Sequence, residues 1–425
     1  MVLKVGVIGA GIGGLSAAIA LRRTGAQVEV FERSSFKDEI GAAITITPNG
    51  MRVLRHFGFD PKTARGVQNK QMRMVHPQTL EDLVVENFRH VENDYGAPFM
   101  FFHRVDLHTA LKEMALSSDE QYPGLPVVIH NGHSVTSLDC ENATIMLDNG
   151  ETFAKDLLVV ADGVRVSPVY TMLPSSVADL LGPNSSTKLP KKMSLLKISA
   201  PHFTGVSSPS RRLIKTPILP PSLKTKIQDS GSPLTYLLGP FSLHIPVGME
   251  RCSTSLFVTR LKLKMSTRSI GILTRTFKTS LPCLSTSVSV YKLFRREPLE
   301  TYTRGRAVII GDAAHPIQPT HAQGAVLATE EAAALEVLFK DIQRPEKVTE
   351  GLSLYNDILK RRIHVTQLLS DAQPGISSVL RQRAEDIWGE GIFPPDAMNF
   401  TRLIRDFFYS YDVMEEAEKV LTRAI

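Results

Sequence analysis

The chain has 425 residues, 43% of them hydrophobic, and a formal net charge of +6, which suits one large or two ordinary globular domains and excludes the disordered and collagen-like classes. The charge is uneven: residues 163–290 hold 17 Lys/Arg against 3 Asp/Glu, so the flanking parts are acidic. No RNA or DNA module, aromatic-interleaved basic strand or basic dimerising helix accompanies that excess, so nucleic acid is not an expected partner.

In chain order, "VLKVGVIG" (2–9) reads as an apolar strand, Ile12 to Arg23 as a helix, and "QVEVFE" (27–32) as a second strand, together a βαβ unit. The uncharged run Val5 to Leu21 holds five glycines and leads into that second strand, so it reads as strand, turn and helix, and no integral membrane segment is expected. Helices are predicted over 48–57 and 103–116, strands at "PVVIH" (126–130) and "DLLVVADG" (156–163), and a hairpin over 143–153 around Asp-Asn-Gly. From 166 to about 290 the periodic signal weakens, with "SLFVTRLKL" the best candidate strand there. It sharpens again at "RAVIIGD" (306–312), a strand, followed by helices over about 323–340, 350–371, 377–388 and 397–421. The cysteines Cys140, Cys252 and Cys283 are far apart with no CxxC, which suggests neither a disulfide framework nor a zinc site and fits the cytoplasm.

Gly9-Ala10-Gly11-Ile12-Gly13-Gly14 is GxGxxG between a strand and a helix, and Glu32 ends the next strand. Gly9 permits the tight turn, Gly11 lets a pyrophosphate approach the backbone, Gly14 lets the helix pack on the sheet, and the helix N-terminus favours the anion. Glu32 would accept from ribose hydroxyls and repel a 2′-phosphate, so the site should hold the ADP part of FAD or NAD. Arg33 follows it; it lies over the adenine or is simply solvated.

Two further apolar strands end in aspartate, at "VVADG" with Asp162 and at "IIGDAAHPIQPTHAQGA" (309–325) with Asp312. With the first motif, this combination resembles the class A flavoprotein aromatic hydroxylases, specifically the fungal salicylate-hydroxylase-like FAD monooxygenases. The resemblance covers about 1–165 and 291–425. It includes "GAAITITPNGMRVL" (41–54), "HRVDLHTAL" (103–111) and "FFYSYDVMEEAEKVL" near the end.

The resemblance implies an α/β fold like that of para-hydroxybenzoate hydroxylase: a Rossmann-like FAD-binding part over 1–165, with some interleaved substrate-domain strands, and a β-sheet substrate domain over 166–290. A second FAD-binding part over 291–345 and C-terminal helices over 346–425 would follow. It implies that Asp312 binds the ribityl chain, that Ala313, Ala314, Gly324 and Ala325 keep side chains out of the flavin's way, and that the backbone near Ala43 and the side chains of Arg104 and Asp162 contact FAD. His315 belongs to a structural turn, and Gln323 caps or orients the next helix. No catalytic side chain and no metal ligand is assigned. The implied activity takes NADPH or NADH as a transient reductant, O₂, and a phenolic or aromatic-polyketide substrate, which it hydroxylates, as in fungal secondary metabolism. Oligomeric state is not specified.

The chain departs from the family at "DGVRVSPVY" (162–170), which has an extra residue before Ser167 and lacks the usual closing Arg; that motif's part in FAD binding and NAD(P)H use does not carry over intact. Residues 167–290 contain no Trp and few acids. They are either a diverged substrate domain that accommodates an anionic aromatic or polyketide acid through basic residues, or non-native sequence from a reading-frame or splice error, in which case the chain would bind flavin but be catalytically impaired.

Overall fold

The computed structural model describes residues 2–36, 43–75, 82–164, 196–205, 232–238, 241–247, 257–259, 289–371, 376–393 and 401–424. Its first sheet has six strands, in the order Thr303–Arg304, Ala307–Ile309, Leu157–Val160, Lys4–Ile8, Gln27–Glu32, Val128–Asn131. All neighbours pair in parallel except the Thr303–Arg304 edge, which is antiparallel. The central segments "LLVV" and "AVI" are buried at every residue. Such unbroken apolar runs suit a parallel sheet covered on both faces, where no strand side meets water.

One face carries the helices Ile12–Arg23 and Gly324–Phe339, which pack on each other. The other carries a small antiparallel sheet of Val135–Asp139, Thr144–Leu147 and Thr152–Ala154. Ile145 of that sheet sits where a Cβ on Gly6 would be, 2.7 Å away, so the glycine in the first strand sets how closely the two layers approach. The helices Val348–Ser370 and Val413–Ala424 pack on the outer side of Gly324–Phe339.

The second large sheet has seven strands, in the order Ser289–Arg296, Leu196–Gly205, Phe257–Thr259, Ser232–Leu238, Phe241–Val247, Gln71–Val75, Asp82–Asn87. Its last two strands come from the N-terminal part of the chain, so the two sheets interleave along the sequence. A third short sheet of Ala43–Ile46, Met100–His103 and Val67–Gln68 lies between them in sequence.

The predicted helices at 48–57 and 103–116 are Pro48–His56 and Arg104–Leu116. The Arg104–Leu116 helix is tied down at its C-terminal end by Arg22, whose buried guanidinium donates to the carbonyls of Met114, Ala115 and Ser117 at 3.0–3.1 Å. That satisfies acceptors a helix end leaves unpaired. The single helix expected over 397–421 is two: Arg402–Tyr409 and Val413–Ala424. Asp412 makes the break by accepting from the backbone N–H of Met414 at 3.0 Å and of Glu415 at 3.2 Å, an N-cap that starts the second helix. Of "SLFVTRLKL", only Phe257–Thr259 is described, as a strand; the "RVSPVY" part of the altered motif lies outside the described residues. Among the described residues, no helix is long and apolar enough to cross a membrane.

Candidate active site

Three parallel strands, Lys4–Ile8, Leu157–Val160 and Ala307–Ile309, stop at the same edge of the sheet, and each hands over directly to a loop that lines one cavity of about 740 Å³. This is the carboxyl edge of the strands, where open α/β sheets take their ligands.

The first loop is the glycine motif. Gly9 has φ +96°, and a Cβ there would lie 2.6 Å from the Ala161 carbonyl oxygen. A Cβ on Gly14 would lie 1.9 Å from the Gly9 oxygen, so helix and turn can close only with glycine. Gly11 is different: a Cβ there meets nothing within 4 Å, and what it would occupy is the cavity. No side chain caps the helix that begins at Ile12, which leaves its first-turn N–H groups available to an anion. Glu32 accepts from Ala10 N–H and Ser34 N–H, both at 2.7 Å. His108, from the helix beneath, lies 2.6 Å from the Ala10 carbonyl oxygen and fixes the same turn from below.

The second loop carries Asp162, whose Oδ1 is buried with no hydrogen-bond partner among the described residues. Burial pushes its carboxyl up to about 7, and Arg33 opposes that rise. A buried acceptor without a donor is costly, and here it borders the cavity.

The third loop carries Asp312. Protein atoms hem it in, yet its carboxyl is exposed, because its open side is the cavity. Burial raises its pKa, and the nearby charges of His315 and Arg104 pull it back. Behind it, Glu331 is wholly buried and accepts from Gly311 N–H (2.7 Å), His315 Nε2 (2.9 Å) and Tyr355 hydroxyl (2.8 Å). His315 is buried in this cluster and does not line the cavity.

Gln323 precedes the Gly324–Phe339 helix but does not cap it with its side chain. The amide instead donates to Thr47 Oγ1 (3.0 Å) and accepts from Asn49 Nδ2 (3.1 Å), and Asn49 also donates to Glu330 (2.6 Å). The carboxylate of Glu330 pairs in turn with Arg362. The helix start is thus oriented across the chain rather than capped locally. At Gly324 the nearest atom to an added Cβ is 3.8 Å away, so here too the protein would tolerate a side chain that the cavity would not.

The far end of the cavity is aromatic. Phe99 lies 5.3 Å from Phe88, 5.7 Å from Phe101 and 5.9 Å from Tyr409, ring centre to ring centre, and Phe408 stands beside His321 at 5.0 Å. Arg405 closes this end, stacked over Phe88 at 5.2 Å and paired with Glu86. Burial raises the Tyr409 hydroxyl well above its ordinary value, so it is a neutral donor. The wall is held in place by Arg52, which donates to the carbonyls of Tyr95, Tyr409 and Tyr411 at 2.6–2.7 Å.

Of the sequence-derived candidates, Gly9, Gly11, Glu32, Arg33, Ala43, Arg104, Asp162, Asp312, Gly324 and Ala325 all line this cavity, and Gly14 lies behind it in the helix-to-turn contact. Sequence reasoning missed the aromatic end and the buried anchors His108, Glu330, Glu331 and Arg362. Among the described residues, no group of His, Cys, Asp or Glu is placed to hold a metal ion.

A family model described as an FAD binding domain matches residues 2–177 and 273–372. The chain is 26% identical to the FAD-dependent monooxygenase phomE' of Diaporthe leptostromiformis over 92% of this chain and 96% of that protein. It is 27% identical to hispidin-3-hydroxylase of Neonothopanus nambi over 99% and 96%. Among solved structures, a mutant of 2-methyl-3-hydroxypyridine-5-carboxylic acid oxygenase superposes with a TM-score of 0.63 at 20% identity, covering 98% of both chains. A salicylate hydroxylase substrate complex superposes with a TM-score of 0.60 at 17% identity, covering 99% of this chain and 98% of that one. The last two likenesses concern the fold.

Proposed function

The chain belongs to the family of FAD-binding class A aromatic hydroxylases, and on that premise we propose that this cavity holds FAD along its glycine and aspartate side and a phenolic or aromatic-polyketide ring at its aromatic end. NADPH or NADH serves as a transient reductant, and the setting is fungal secondary metabolism. The observation that carries the reading is the convergence of Gly9–Gly11, Asp162 and Asp312, from three parallel strands, on one cavity.

The residues fit the cofactor by their chemistry. Gly11 leaves space only the cavity uses, Asp162 has a buried oxygen lacking a donor, and Asp312 faces inward. Glu32 would take ribose hydroxyls, the uncapped helix start at Ile12 the pyrophosphate, and Asp312 the ribityl hydroxyls. Bound FAD would supply the redox chemistry, by which two electrons from NAD(P)H let O₂ give one oxygen atom to the ring and the other to water.

The chain contributes binding, orientation and dryness. Phe88, Phe99 and Phe408 exclude water from the reacting end. The protonated Tyr409 offers a donor to a substrate oxygen, and Arg405 is already neutralised by Glu86. The start of the Gly324–Phe339 helix points its N-terminal dipole at the cavity, where it favours negative charge.

The test is to load the purified chain with FAD, desalt it, record the flavin spectrum, and then follow NADPH consumption and product mass under ¹⁸O₂ with hispidin and with 3-hydroxybenzoate. Retained flavin with a labelled hydroxylated product supports the reading. Retained flavin that yields only peroxide favours the second reading, a catalytically impaired flavin-binding protein, which rests on the one-sided charge of residues 163–290.

A further inference from the structure

We propose that His315 and Glu331 are positioning residues for the cofactor: their buried ion pair, beneath the Gly311–Asp312 turn, fixes the direction of the Asp312 carboxyl, and the charge of His315 favours its ionised form. This inference rests on the assignment of the cavity to FAD.

Glu331 holds the turn at both ends. Its Oε2 accepts from the N–H of Gly311, immediately before Asp312, and its Oε1 accepts from the ring of His315, three residues after it. Between those two anchors the backbone closes on itself, with the N–H groups of Ala314 and His315 both donating to the Gly311 carbonyl at 2.9 Å. Gly311 has φ +61°, a left-handed conformation that glycine adopts without strain, so the tight turn can form there. With both ends of the turn held, the direction left to Asp312 is outward into the cavity.

The pair also sets charge. Glu331 and His315 are 0% and 1% exposed. Burial alone would strip the proton from the imidazole, but Glu331 beside it, with Asp312, reverses this and raises the His315 pKa above its ordinary value. The other charged and titratable groups facing this cluster are Tyr355 from the Val348–Ser370 helix, Tyr302 with its ring 6.4 Å from His315, Arg296, which donates to the Ala313 carbonyl, and Arg104 across the cavity. The His315 ring has one polar partner among the described residues, Glu331, because its Nδ1 makes no hydrogen bond. An imidazolium here offsets the two carboxylates. Without it, Asp312 would face the uncompensated charge of Glu331, which raises its pKa and favours the protonated form. A protonated Asp312 accepts hydrogen bonds from hydroxyls more weakly.

The sign follows. Because the His315 pKa is raised, its contribution is complete at low pH and is lost as pH rises through its titration. FAD should therefore bind more weakly on the alkaline side. Asp162 titrates in the same window, so the contribution of His315 is the difference between wild type and variant profiles.

The experiment is FAD binding to the apoprotein, read by flavin fluorescence quenching from about pH 6 to about pH 9, for wild type, H315Q and E331Q, with the melting temperature of each apoprotein measured alongside. The expected result is that H315Q binds FAD about tenfold more weakly at the acid end and loses the alkaline decline seen in wild type. E331Q should show the same flattening with a smaller loss at the acid end, because its amide oxygen still accepts from Gly311. If H315Q does not fold, the flattening in E331Q decides the matter. Variants that melt lower but bind FAD with the wild-type affinity and pH profile would overturn the inference, leaving the pair a purely structural one. Failure of wild type itself to bind FAD would instead remove the cofactor assignment, and this inference with it.

Discussion

Arg362 and Glu330 form an ion pair at 3.1 Å with side-chain exposures of 0% and 1%, and the same guanidinium donates to the carbonyls of Phe407 (3.0 Å) and Phe408 (3.1 Å). One buried cation therefore connects the helix that borders the cofactor side of the cavity to the segment that forms its aromatic end. Removing one partner of such a pair strands the other charge, at a cost of about 3–5 kcal/mol. R362M should lower the urea midpoint accordingly. The double variant E330Q/R362M should recover part of the loss, while Phe408 and Tyr409 remain displaced and substrate KM stays raised. Full recovery of KM in the double variant would show that the two carbonyl contacts do not position the wall.

The glycines of the first motif should separate by assay. G14A places a Cβ against the Gly9 oxygen, and overpacking of this kind costs about 1–3 kcal/mol, so the apoprotein should melt lower. G11A meets no protein atom. Its apoprotein should melt like wild type yet bind FAD about tenfold or more weakly, and normal FAD affinity in G11A would remove Gly11 from the cofactor site.

Asp162 should make the apoprotein less stable as pH rises. Its folded pKa of about 7 stands above the ordinary 3.8, so the folded state holds a proton that the unfolded state has already released between those values. Stability present below about pH 4 should fall by about 1–2 kcal/mol by pH 7, a discounted figure because the carboxyl borders the cavity. Urea titrations of D162N should lack that slope.

Y409F removes a hydroxyl with no hydrogen-bond partner among the described residues. The melting temperature and FAD content should stay at wild-type values while KM for a phenolic substrate rises about two- to tenfold. An unchanged KM would place the substrate oxygen elsewhere.

The cofactor side of the site was legible because its chemistry is local: directly after the strand Lys4–Ile8, a turn that only glycine can make and a helix start fit within six residues, Gly9 to Gly14. The aromatic end was not, because Phe88, the pair Phe99 and Phe101, and Phe408 come from separate stretches that meet only after the sheets assemble. Glu330 and Glu331 were hidden for another reason. Adjacent acids on a helix ordinarily face water, and it is Arg362 and Asn49 on one side and His315, Tyr355 and the Gly311 N–H on the other that make their burial tolerable. The helix break at Ser410–Asp412 had a signal, the capping aspartate, but the apolar spacing continues across it and hid the interruption.

The three carbonyls gathered by Arg52 set a timetable. Tyr95 is made early, whereas Tyr409, the last described residue of the cavity wall, and Tyr411 just beyond it emerge late from the ribosome. Until then the nascent chain has a nucleotide cradle with its far side open to water. A flavin captured during synthesis would already meet the glycine motif, Asp162 and Asp312, but the compartment that must keep water from the reacting ring exists only once this late segment has docked.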